Sequence, residues 1–203
     1  MKTLTFGCAV ALAVASVATA QDAALQDFSG GSAYDSYYGS TLGDVIGYTF
    51  TANDDVYVTD LGCWIDTDGM QSIHEVGIWD MNGNLLAWTI VDPGTAWEYN
   101  SFNYQALDTA LMLTDGESYV AGAMYRSGDS DSYISSASSA TWDARVSFVE
   151  SRYPLDMDFG FVMPELTSSS TGRFGPNMIL SDIPGPGGLA LLGLGLIGYR
   201  RRR

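Results

Sequence analysis

The sequence predicts an all-β protein: a single antiparallel β-sandwich, jelly-roll or immunoglobulin-like in type, between a signal peptide and a short C-terminal apolar helix. Three observations predict it. From residue 44 to 182, short apolar runs recur about every ten residues between Gly, Pro, Asn and Asp turns. Within the runs apolar residues alternate, as in Val56/Val58 and Leu61/Cys63/Ile65. No stretch of that span carries a helical period. A closed barrel is the alternative closure.

The elements follow in order. Residues 1–20 read as a bacterial secretory signal peptide: Lys2 as the charged start, an apolar stretch from Phe6 to Val17, and Ala18-Thr19-Ala20 as a small-x-small site cut before Gln21. Cys8 opens the apolar stretch instead of closing it, so lipidation there would leave no apolar region. No arginine pair supports a twin-arginine route. Residues 21–43, rich in Ser, Gly, Asp and Tyr, read as an extended lead-in that contributes an edge strand at most. Strands are then expected at Val45–Thr51, Val56–Asp66, Ile73–Met81, Leu85–Val91, Glu98–Tyr104 and Ser118–Tyr125. Weaker ones are expected at Val146–Val149 and Phe174–Leu180, with a long loop over Tyr153–Thr171. The change of parity near Asp60 predicts a bulge or bend. Asn82-Gly83, between two apolar runs, predicts a type I′ hairpin with both residues at positive φ. The strand near Phe174 should dock beside the first strands.

The chain closes with residues 183–203. Pro184-Gly185-Pro186 breaks the chain, Leu189–Tyr199 is an apolar run of eleven residues, and Arg200, Arg201, Arg202 and Arg203 end it. Eleven helical residues span about 16 Å, against a hydrocarbon core of about 30 Å. The run is therefore a weak membrane span, and the arginines act as a cytoplasmic stop. A basic tail without structure and a buried core helix are the other readings; a core helix seldom ends in four arginines.

These ends together resemble the PEP-CTERM proteins, exported bacterial proteins with a C-terminal sorting signal. The resemblance rests on Pro184, Gly185 and Pro186, then the apolar run, then Arg200–Arg203. Gly185 stands where the family most often has Glu. The resemblance implies export by the secretion machinery and transient anchoring in the inner membrane through the tail. It also implies handling by an exosortase-like sorting enzyme, and delivery to the cell envelope or surface. The middle of the chain also resembles a β-sandwich domain of unknown function that recurs in such exported proteins. The matching runs are Val58–Gly62, the hairpin His74–Asp80 with Asn82–Ala87, Leu111–Tyr125 and Arg173–Asn177. These are strand-and-turn motifs, so they imply a fold and carry no catalytic residues.

Composition limits the chemistry. Residues 21–182 hold all twenty-four acids and only four cations, Arg126, Arg145, Arg152 and Arg173, a formal charge of −20. Such a surface repels nucleic acid and anionic lipid. It attracts divalent cations, or reflects life in a saline exterior. After signal cleavage Cys63 is the one remaining cysteine, so no disulfide forms within the domain. It reads as a small buried hydrophobe, with an intermolecular disulfide as the sharper alternative. His74 is the only histidine and sits in a strand-like run without a nucleophile elbow. It reads as structural, bonded to a carboxylate or to backbone, and Cys63 alone cannot complete a zinc site. Among twenty-four acids no glycosidase pair can be singled out.

Two loops place carboxylates two apart, Asp66/Asp68 and Asp129/Asp131, as oxygen-rich calcium loops do. Ca2+ is thus the one candidate cofactor. Of the five tryptophans, Trp79 and Trp88 flank the expected hairpin and would form a cross-strand pair. Tyr34, Tyr37, Tyr38 and Trp97 lie in polar surroundings and are the candidate ligand contacts. The leading expectation is an exported, non-enzymatic envelope or extracellular-matrix protein. The alternative is a carbohydrate-binding module for exopolysaccharide, assisted by calcium.

Overall fold

The computed structural model describes residues 22–35, 42–155 and 160–183. Among these residues there are fifteen strands, paired antiparallel throughout, and no helix. The short leading strands are β1 (Asp22–Ala23), β2 (Leu25–Ser29) and β3 (Ser32–Tyr34). The body follows as β4 (Asp44–Ala52), β5 (Val56–Trp64), β6 (His74–Asp80), β7 (Leu85–Val91), β8 (Trp97–Tyr99), β9 (Phe102–Leu113) and β10 (Ser118–Tyr125). The last third holds β11 (Tyr133–Ser135), β12 (Ser139–Trp142), β13 (Val146–Tyr153), β14 (Leu166–Ser168) and β15 (Pro176–Ser181). A five-stranded sheet runs β1-β15-β5-β9-β8 and a six-stranded sheet runs β14-β13-β4-β10-β6-β7. Two ribbons, β3 with β11 and β2 with β12, complete the arrangement.

The two sheets bury one shared apolar cluster, which makes the fold sandwich-like. Aromatic side chains dominate it. Tyr48 meets Trp142 edge-on at 5.0 Å, Trp142 stacks on Phe148 at 5.7 Å, and Phe174 packs against all three. Each fully buried large apolar side chain contributes about 1.5–3 kcal/mol of transfer free energy. A domain without a disulfide depends on that contribution. A second, smaller cluster of Val45, Trp79, Val120 and Met124 is covered by Phe161 and Met163. Room for the Trp79 ring comes from Gly122, where an added Cβ would sit 3.1 Å from the indole and 2.6 Å from Val45.

The bulge expected near Asp60 falls at Thr59. Val58 pairs with Leu111 and Asp60 with Ala106, so β9 places four residues, 107–110, opposite Thr59 alone.

Two turns differ from expectation. At Asn82-Gly83 only the glycine takes positive φ, 87°. The Asp80 carboxylate accepts the Asn82 and Asn84 backbone N–H groups and the Asn84 amide, and the Gly83 N–H reaches the Asp80 carbonyl. A side chain that caps the loop replaces the strain of a second positive φ. The type I′ geometry lies instead at Asn100 (φ 49°) and Ser101 (φ 62°), where Tyr99 pairs with Phe102. The expected strand Glu98–Tyr104 is thus a hairpin, and its return strand β9 runs on to Leu113. An Asn-Ser pair carries a weaker turn signal than Asn-Gly, which is why the run looked continuous. The expected loop over Tyr153–Thr171 contains β14, paired to β13.

β15 closes the fold. All six of its residues are buried, and it lies between β1 and β5. Its Asn177 amide accepts the Leu25 N–H, donates to the Leu25 carbonyl and donates to the Tyr104 hydroxyl, at 2.8–2.9 Å. Beside it, Arg145 bonds Asp143, Asp182 and Asp22, tying the two ends of the domain together. That guanidinium holds the Asp143 carboxyl below its usual range, chiefly by hydrogen bonding.

Asn177→Leu removes the side-chain partner of four buried polar groups in this lock, the Leu25 N–H and carbonyl, the Tyr104 hydroxyl and the Met178 N–H. It should cost about 2–4 kcal/mol, measured by urea denaturation of the purified chain; a loss under about 1 kcal/mol would contradict the lock. A carboxyl depressed in the folded state adds stability that is complete above its unfolded value, near 4, and is lost as pH falls through the folded value. The stability gap between wild type and Arg145→Gln should therefore be full at pH 7 and shrink at about pH 3, as read from urea midpoints.

Candidate functional site

His74 and Asp131 are drawn together from distant parts of the chain. His74 is wholly buried; its Nδ1 lies 2.7 Å from the Met124 carbonyl and its Nε2 lies 3.0 Å from Asp131 Oδ2. A carbonyl only accepts, so Nδ1 carries a proton. The Asp131 oxygens also accept the backbone N–H groups of Gln71 and Ser72. Both ring nitrogens thus have a protein partner. This joins the 66–72 loop to the 129–131 loop and leaves neither ring nitrogen free to serve a substrate. Nearby, the Cys63 Sγ lies 3.1 Å from the Tyr125 hydroxyl, and burial pushes the thiol up to about 12. Cys63 is therefore shielded from disulfide exchange.

The four loop carboxylates do not converge. Asp131 is committed as described, Asp129 caps the Arg126 N–H and Asp66 caps the Thr67 N–H. The Asp68 carbonyl accepts the Gln71 amide. Among the described residues no group of three or more His, Cys, Asp or Glu side chains is placed to hold a metal ion.

The expected pairing of Trp79 with Trp88 does not occur. Trp79 pairs with Leu85 and is buried against Phe161 at 5.0 Å, whereas Trp88 pairs with Gly77 and is 52% exposed. Both rings lie on the Phe161 side of the sheet, Trp88 at 6.3 Å from it, but Trp88 stands opposite Gly77, two residues from Trp79 along β6. Trp97 stands on edge strand β8, its indole N–H donating to Asp60 Oδ1 at 3.1 Å and its ring 5.1 Å from Tyr104. Tyr99 beside it is half-exposed. Tyr34 stacks on Tyr133 at 6.0 Å. Tyr37 and Tyr38 lie outside the described residues, as do Ala18, Ala20, Gln21, Pro184, Gly185, Pro186 and Arg200–Arg203.

Trp88 lines an open groove of about 460 Å³ between β7 and β9, together with Thr89, Ile90, Asp92, Thr95, Gln105, Ala106 and Asp108. Sequence reasoning missed it. Leu85–Val91 is apolar throughout apart from Thr89, so no alternation marks its outward residues. Gln105 and Asp108 come from β9 of the other sheet, so no local pattern links them to Trp88.

All four arginines of the domain are engaged elsewhere. Arg126 pairs with Glu75, Arg145 with its three aspartates, and Arg152 with Glu150 and the Thr49 hydroxyl. Arg173 lies over the Tyr153 ring at 4.8 Å. No family model matches the chain, and no curated protein or solved structure matches it either.

Asp131→Asn turns an amide toward three donors and leaves His74 facing no carboxylate. It should cost about 3–5 kcal/mol, the range for breaking a buried pair, measured as a fall in unfolding free energy. A change below about 1 kcal/mol would show that the pair does not organise these loops.

Proposed function

We propose that the chain is an exported, non-enzymatic protein of a bacterial cell envelope or extracellular matrix, sorted through its C-terminal signal. The observation that carries this reading is the placement of the two ends of the domain. β1 begins at Asp22, two residues beyond Ala20, and Asp22 pairs with Leu180 near the end of β15. Arg145 bonds both Asp22 and Asp182. Asp22 and Asp182 therefore lie at one pole of the domain, next in sequence to the expected cleavage site and to the Pro184–Pro186 break. A domain with both flanking segments at one pole can stand on a membrane through either, with the rest of its surface turned outward. Engagement of both His74 nitrogens supports a binding role over acid–base catalysis. We read the sheets as jelly-roll-like, because the chain changes sheet between β4 and β5, β5 and β6, β7 and β8, and β9 and β10.

Carbohydrate binding is the second reading. Trp88, Trp97 and Tyr99 are favoured for it because each presents a half-exposed ring on or beside an edge strand. Calcium would act here by bridging carboxylates to sugar hydroxyls.

Replacing Arg200–Arg203 with glutamine tests the sorting reading. The wild-type chain should reach the envelope or medium with its amino terminus at Gln21. The variant should accumulate in the inner-membrane fraction or lose anchoring, as seen by fractionation and mass spectrometry. Identical distribution of the two proteins would overturn the role of the tail.

A further inference from the structure

The geometry points to the groove between β7 and β9 as a binding site for an uncharged glycan, with Trp88 as its stacking face and Gln105, Asp92 and Asp108 as its polar contacts. This rests on the carbohydrate-binding reading above and adds to it a place and a ligand class. On the β9 side of the groove, Gln105 and Ala106 stay paired with Leu61 and Asp60 of β5, and Asp108 lies in the four-residue insertion opposite Thr59. Beyond that, β8 pairs β9 only over Phe102–Tyr104, so residues 105–108 have no strand on their β8 side. At about 460 Å³ the groove falls within the usual range of small-ligand sites, about 300–1,000 Å³.

Its chemistry is that of sugar recognition. A half-exposed indole offers a flat apolar face to the C–H side of a pyranose. Asp92 Oδ1 accepts the Gly94 N–H, and no protein donor reaches its Oδ2 among the described residues. Asp108 is exposed and makes no hydrogen bond within them. Both can accept sugar hydroxyls. Gln105 Oε1 accepts the Thr95 hydroxyl, leaving the Gln105 amide N–H groups to donate.

Charge selects within the class. Two carboxylates line the groove, the domain carries −20, and every arginine is engaged elsewhere. A uronate or sulfated polymer would meet only repulsion at this groove.

The test is affinity electrophoresis of the full chain in mild detergent. The gels contain a neutral β-glucan, a galactomannan, or alginate, each with and without millimolar calcium. Retardation by a neutral glycan and none by alginate is expected. Trp88→Ala and Gln105→Ala should each weaken retardation at least tenfold while leaving the melting temperature unchanged. Full retardation of both variants would remove the groove while leaving carbohydrate binding intact. Retardation by alginate alone would overturn the charge argument and thus the proposed ligand class. Retardation by none of the three would overturn the site and the carbohydrate reading together.

Discussion

The domain depends on the last strand, β15, finding its place between β1 and β5 in the five-stranded sheet. β15 is buried along its whole length, and Asn177 within it satisfies the backbone of Leu25 and the hydroxyl of Tyr104 together. A buried amide is costly unless its partners are all present, so this lock forms only when both ends of the domain have arrived. Leu25 and Asn177 lie 152 residues apart in sequence. Pairing over that distance makes folding slow and puts it after complete synthesis. A chain that crosses a membrane before folding can tolerate that order of events.

Charge is arranged around the same closure. Twenty-four acids would drive the domain apart if its few cations lay free. Each arginine is placed where acids or aromatic faces gather. Arg145 sits where Asp22, Asp143 and Asp182 converge, and Arg126 meets Glu75 on β6. The rest of the surface is left acidic, a formal charge of −20 over residues 21–182. The same placement makes the groove beside Trp88 selective without any residue dedicated to rejection.

One irregularity links fold to site. Four residues of β9 stand opposite Thr59, so β9 cannot remain flat against β5. Asp108, within that insertion, lines the groove together with Gln105 and Ala106 of β9 and with Trp88, Thr89 and Ile90 of β7. Bulges beside functional surfaces act in this way, by redirecting a strand at one point while the pairing on either side continues.

The sequence by itself determined the class of fold, the position of most strands and the parity change on β5, because alternation and turn residues are local properties. It also showed that Cys63 could not be part of a disulfide within the domain and that no nucleophile elbow accompanies His74. It misplaced the type I′ turn, since a capping carboxylate at Asp80 relieved Asn82 of positive φ while Asn100 and Ser101 had no such help. Tertiary structure alone decided which acids are engaged. Asp131 carries the same local signature as Asp129, yet its carboxylate meets His74 from 57 residues away. It also decided that Trp79 is buried and Trp88 exposed, because Trp79 stands on the interior strand β6 under Phe161 and Met163, whereas Trp88 stands on the edge strand β7. Spacing along a chain describes neighbours on a strand; partners across strands depend on where distant segments come to rest.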